Sequence, residues 1–166
     1  DAEADLSFKG ASRCFIRFPG IYHAYGLSAR ENEKLLIQLD YEPQEYSYKA
    51  VEKVINRFGI FTAVPSAPVD VLLSMKISAL LGRKRPKGRD FYDVTYLFSF
   101  TQPDFKFLKL KNGIKDMDNL KEKLLQKADS LDMKAVAADV APFLFAKEDV
   151  ERVLNFRLFV EQLRRP

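Results

Sequence analysis

Along the first third of the chain, apolar and polar residues alternate with a period of two. Over Ala11 to Phe18, the set Cys14, Ile16, Phe18 alternates with Arg13, Phe15, Arg17. That spacing predicts a strand, closed by Pro19-Gly20. Ile21 to Leu27 predicts a short helix ending near Gly26. The clearest strand runs from Leu35 to Glu42. Leu35, Ile37, Leu39 and Tyr41 share one face; Leu36, Gln38, Asp40 and Glu42 share the other. Pro43 ends it. Tyr48 to Ile55 alternates without a clean apolar face. The turn Asn56-Arg57-Phe58-Gly59 and a strand over Ile60 to Val64 complete a hairpin.

From Ser66 the period becomes helical. Pro68 suits a first turn, with Ser66 or Ala67 near the cap, and Leu72, Leu73, Ala79 and Leu80 mark the apolar face of a helix reaching Gly82. A basic loop follows, and a second helix is predicted from Asp90 to Phe100. Between Pro103 and Asp118 the pattern predicts no element. Asp118 is expected to cap a helix to Ala128, with Leu120, Leu124 and Leu125 facing inward. Helices over Asp132 to Phe145 and Glu148 to Leu163 finish the chain. The pattern predicts an α+β fold, a small mixed or antiparallel sheet followed by a helical bundle, with a seam near residue 66 that separates 1–66 from 67–166.

Composition narrows the function classes. The chain has 166 residues, 47% apolar and 30% charged, with 27 Lys+Arg against 23 Asp+Glu. That suits a globular domain and not a disordered one. No run of about 18 apolar residues could span a membrane, and the start, Asp1-Ala2-Glu3-Ala4-Asp5, has no apolar signal core. A cytoplasmic location is expected. One cysteine, Cys14, and one histidine, His23, exclude an internal disulfide and a His- or Cys-rich metal centre. They leave a carboxylate-held Mg2+ open. The net charge of +4 is local. Without Arg83, Lys84, Arg85, Lys87 and Arg89 the balance is −1, with 22 basic against 23 acidic residues.

Four constellations could carry chemistry. Lys76 has Leu72, Leu73, Ala79 and Leu80 as its helical neighbours. An ammonium in an apolar stripe is costly unless paired. Two readings stay open: it reaches from a cleft to a phosphate, or it snorkels from a partly exposed edge. The run Arg83 to Arg89 suits phosphate or nucleic acid, or is a solvated loop. Asp90 reads as an N-cap, with Asp93 at the third helical position. Alternatively, Asp93 orients Lys76 or lies beside a bound phosphate, because a helix–loop–helix hairpin brings these ends together. Asp40 and Glu42, two apart on a strand, could share Mg2+ or form the polar side of an edge strand. Asp116-Met117-Asp118 precedes a helix and reads as a cap region. Asp139 reads as a buried or boundary polar residue, and His23 as structural.

The stretch Lys76-Ile77-Ser78-Ala79-Leu80-Leu81-Gly82-Arg83, then Lys87-Gly88-Arg89-Asp90-Phe91-Tyr92-Asp93-Val94, resembles the AbiEii-type nucleotidyltransferases, toxins of bacterial toxin–antitoxin and phage-defence systems. Their pattern is a K-x-x-A-L-x-x-R helix, a basic loop and R-D-x-Y-D. Leu36-Ile37-Gln38-Leu39-Asp40 resembles the family's I-x-I-D strand. Asp139-Val140-Ala141-Pro142-Phe143-Leu144 is similar to its C-terminal half. The resemblance runs from about residue 10 to about residue 160. It implies a polymerase-β-like core in which carboxylates hold Mg2+ and a nucleoside triphosphate (NTP) is attacked at its α-phosphate. By that likeness Asp40 is the third carboxylate, with Glu42 beside it, and Lys76 holds the triphosphate. Asp93 positions Lys76 or the acceptor. Arg83, Lys87, Arg89 and Asp90 lie where the triphosphate or an RNA acceptor is contacted. A cognate antitoxin is the implied protein partner.

The chain departs from that family at its first motif, a Gly-Gly or Gly-Ser turn followed by a D-x-D strand. It has neither glycine pair, and only about forty residues precede Asp40. The expectation is therefore a C-terminal portion of a longer nucleotidyltransferase, or a degenerate member, inactive by itself. The absence of an initiator Met favours the first. The competing expectation is a non-catalytic module that binds nucleic acid or a protein partner.

Overall fold

The computed structural model describes residues 3–9 and 11–163, with side chains from residue 14 onward. Asp1 and Ala2, part of the acidic start, lie outside the described residues. The chain forms two compact units, Asp1–Tyr46 and Ser47–Pro166.

The first unit is an antiparallel meander of β1 (Glu3–Lys9), β2 (Ala11–Pro19) and β3 (Lys34–Tyr41), in the order β1-β2-β3. In its register Cys14 faces Leu39 and Ile16 faces Ile37. A strand at β1 was not expected from the acidic start. Ala4, Leu6 and Phe8 alternate with Asp5, Ser7 and Lys9 in sequence, a short period of two that the flanking acids obscure. Between β2 and β3, the one-turn helix α1 (Ile21–Ala24) follows Gly20, whose φ of 72° gives the chain a left-handed corner. His23 is exposed, and its Nδ1 lies 3.3 Å from the Ser28 carbonyl.

The second unit opens with the hairpin of β4 (Val51–Arg57) and β5 (Ile60–Ser66). Phe58 and Gly59 form its two-residue turn, both with positive φ (54° and 73°), which is the geometry that matches the twist of paired strands. Helices follow: α2 (Val69–Gly82), α3 (Gly88–Leu97), α4 (Phe105–Asn112), α5 (Met117–Asp129), α6 (Met133–Val140), α7 (Glu151–Leu154) and α8 (Phe156–Gln162), with 3-10 turns at Ala141–Phe143 and Lys147–Val150. The fold is α+β.

The core belongs to the helices. Leu73, Ile77 and Leu80 of α2, Phe91 and Val94 of α3, Phe107 of α4, Leu120 and Leu124 of α5, and Phe156 and Val160 of α8 are all buried. Phe91 meets Phe156 edge to face, with centroids 4.9 Å apart.

Several boundaries differ from the sequence expectation. Pro68 itself stands at the N-cap of α2. Its core face is Val71, Leu73, Ile77 and Leu80, while Leu72 is exposed. The helix is apolar on most sides, so spacing alone does not select the buried face. The N-cap of α3 is Lys87, and Asp90 lies inside the helix, so Asp90 is not the cap. At α5 the cap is Asp116, not Asp118: its carboxylate accepts from the Asn119 N–H at 2.9 Å. The unpredicted α4 is capped by Asp104 and closed by Gly113 at φ 68°. Finally, the predicted terminal helices are shorter: α6 gives way to a 3-10 turn, and α7 and α8 break at Asn155.

Candidate nucleotide site

The α2–α3 hairpin carries the candidate residues Lys76, Arg83, Lys87, Arg89, Asp90 and Asp93. Five residues, Arg83–Lys87, separate the two helices, and the basic run continues into the first turn of α3. Lys127 of α5 donates to the Arg83 carbonyl at 3.1 Å and so ties down the end of α2.

Two ion pairs bridge the hairpin. Lys76 Nζ lies 2.6 Å from Asp93 Oδ2, with the lysine side chain 38% exposed. The ammonium is thus at the rim of α2, reachable by solvent and oriented by a carboxylate. Such a half-exposed pair contributes only about 0–1 kcal/mol, so its geometry matters more than its stability. Arg83 Nε lies 2.9 Å from Asp90 Oδ2, and the Asp90 side chain is 2% exposed. That contact lacks a well-directed hydrogen bond, since Oδ2 has no donor aimed at it. A buried carboxylate without a cation is strongly destabilising, and the Arg83 guanidinium supplies that cation beside Asp90. Lys84, Arg85 and Arg89 are exposed, and Lys87 is half-buried.

The structure therefore brings together Lys76 with Asp93 and Arg83 with Asp90. Asp40 and Glu42 belong to the other unit. Both are exposed; Asp40 lies on β3, Glu42 follows it, and Gln38 Nε2 donates to Asp40 Oδ2 at 2.7 Å. Among the described residues no three Asp, Glu, His or Cys side chains converge as a metal site.

Three features escaped sequence reasoning. Asp139, read from the sequence as a buried or boundary polar residue, is exposed instead, and its partner was not foreseen: it accepts the Gly88 N–H at 2.9 Å from 51 positions away. Tyr92 donates to Asp149 Oδ2 at 3.3 Å; burial first, and then Asp149, push its pKa above 10.0. Lysines of α5 bond to carbonyls at the ends of other helices: Lys121 to Glu161 and Leu163, Lys123 to Asn112, and Lys127 to Arg83. A cavity of about 430 Å³ is lined by Leu81, Gly82, Asn112, Lys123, Gln126, Lys127 and Ser130, but two of its lysines are already engaged by these carbonyls.

Among the described residues no helix is long and apolar enough to cross a membrane. No curated protein and no solved structure matches the chain. A family model does match it, over residues 2–156: Nucleotidyl transferase AbiEii toxin, Type IV TA system. Nucleotidyl transfer implies a nucleoside triphosphate as substrate, and a type IV toxin implies an antitoxin as partner. With nearly the whole length matched, and with the lysine helix and R-D-x-Y-D helix placed side by side, the chain belongs to the AbiEii nucleotidyl transferase toxin family.

Proposed function

We propose that the Lys76–Asp93 rim of the α2–α3 hairpin binds the phosphates of a nucleoside triphosphate in a toxin that transfers a nucleotidyl group to an acceptor. The observation that carries this reading is a solvent-reachable ammonium held 2.6 Å from a carboxylate, beside exposed cations. Asp93 fixes the direction of Lys76 without removing its charge. Lys84, Arg85, Lys87 and Arg89 raise the local concentration of a polyanion. Asp90 is buried; its part is to hold Arg83 at the mouth of the loop. In the transfer, an acceptor oxygen attacks the α-phosphorus and pyrophosphate leaves. Lys76 stabilises charge on the phosphate oxygens during that step. RNA suits the acceptor role, because the basic run offers a surface for a phosphate backbone.

The 166 residues by themselves are expected to bind the triphosphate without transferring it, since the sequence holds no Gly-Gly or Gly-Ser turn followed by a D-x-D strand. Calorimetric titration with an NTP is the direct test. Lys76→Ala should weaken binding roughly 10- to 100-fold, the loss of one charge-assisted phosphate contact. Asp93→Asn should weaken it less. Equal binding by Lys76→Ala and the parent chain would remove this reading and favour the non-catalytic module. RNA binding through the basic run would then be the property left to measure.

A further inference from the structure

The first turn of α3 is held by a residue from α6. Gly88, the first residue of α3, donates its N–H to Asp139 Oδ2 at 2.9 Å. The helix has no side-chain cap of its own, since Lys87 occupies the N-cap. A Cβ on Gly88 would lie 2.2 Å from the Val136 carbonyl oxygen and 2.9 Å from Val140 Cβ. Backbone thus presses on backbone there, and only glycine permits the approach. One contact fixes the distance of α3 from α6. The other fixes which N–H points at which carboxylate. Together they set the axial position and rotation of α3.

The consequences appear within two turns. Two residues beyond Gly88, Asp90 meets Arg83; five residues beyond, Asp93 meets Lys76. Each helical residue turns about 100° and rises about 1.5 Å. A slip of one residue would swing Asp93 away from Lys76.

We propose that Asp139 is a positioning residue for the Lys76–Asp93 pair. It acts through Gly88, setting the register of α3 in which Asp93 aims Lys76 at a phosphate; it does not touch the ligand. This rests on the triphosphate reading above. The same bond decides where the phosphate does not go. A helix N-terminus is a ready anion site, but at α3 the Asp139 carboxylate already takes the Gly88 N–H and repels a second anion. The phosphate is left to Lys76 and the exposed cations of the loop.

The test uses three variants of the 166-residue chain, labelled with 15N, and inorganic tripolyphosphate as the probe. Asp139→Ala should speed exchange of the Gly88 amide roughly tenfold, as expected for a lost cap. It should also move the Lys76 ammonium resonance and weaken tripolyphosphate binding severalfold. Asp139→Asn, whose amide oxygen still accepts, should restore all three towards the parent values. Asp132→Ala removes the cap of α6, where Asp132 accepts from the Lys134 and Ala135 N–H groups. It controls for general loosening and should leave the Lys76 resonance in place. The proposal is overturned if Asp139→Ala leaves Gly88 exchange or the Lys76 resonance unchanged. It is equally overturned if Asp132→Ala shifts that resonance as far. Should the parent chain not bind tripolyphosphate, the triphosphate reading fails, while the exchange and resonance measurements still decide the role of Asp139.

Discussion

The β4–β5 hairpin and the helical bundle use similar residues to opposite ends. Every residue of β4 is exposed, as is all of β5 except Ser66. Val54, Ile55, Ile60 and Phe61 stand in solvent, Phe61 at 76%. In the bundle, Phe91, Phe107, Phe156 and the leucines facing them are completely buried. Apolar character makes the strand and the helix alike, but it stabilises only where another element covers it. The hairpin is held by its ladder and its turn. The bundle is held by side chains that interlock.

The widest separation between the two regions should appear in urea denaturation. Phe91→Ala empties a fully packed site and should cost about 3–5 kcal/mol. Phe61→Ser on the hairpin should stay within about 0.5 kcal/mol. Equal costs would break the comparison, because the hairpin would then share the core. Gly88→Ala comes next. Its new methyl meets backbone rather than a movable side chain, so about 1–3 kcal/mol is expected in the same assay. At the ends of the bundle, Asp116→Ala should cost about 1 kcal/mol through the lost cap. Asp118→Ala should cost less, and the reverse order would restore Asp118 as the cap.

The smallest effect belongs to the bundle's partly covered edge, at Tyr92. Its folded pKa is raised above the unfolded value of 10.0, by burial and then by Asp149. The folded state therefore holds the phenolic proton more tightly. The stability it confers is intact below pH 10 and is lost as pH rises through the folded pKa. Unfolding free energy measured upward from pH 9 should fall more steeply in the parent chain than in Tyr92→Phe. Parallel profiles would show that the phenol's surroundings are the same in both states.

Which parts of this were legible in the sequence follows from how local each cause is. The strands at β2 and β3 and the turn at Phe58-Gly59 are set by alternation and by positive φ, both visible in a few residues. The α2–α3 hairpin was legible too, because the separation of Lys76 from Asp90 to Asp93 fits two helices and a short loop. The buried face of α2 was not, since Leu72 and Leu73 look alike and only tertiary packing chooses between them. The α4 helix was missed because Phe105-Lys106-Phe107 and Leu108-Lys109-Leu110 alternate as a strand would. The Asp104 cap, the left-handed Gly113 and the burial of Phe107 and Leu108 override that alternation. The role of Asp139 was not legible, for its partner Gly88 lies 51 residues away.

The lysines of α5 carry a consequence for chemical modification. Lys121, Lys123 and Lys127 each reach a carbonyl at the end of another helix, at 2.9, 2.9 and 3.1 Å. Acylating any one of these amines would remove a cation from a helix terminus that favours positive charge. The disturbance would surface far along the chain from the modified residue: at Glu161 and Leu163, at Asn112, or at Arg83 where the basic loop begins. An amine-reactive label on α5 would therefore report on helix docking, whereas the same label on the exposed Lys84 would leave the helix ends undisturbed.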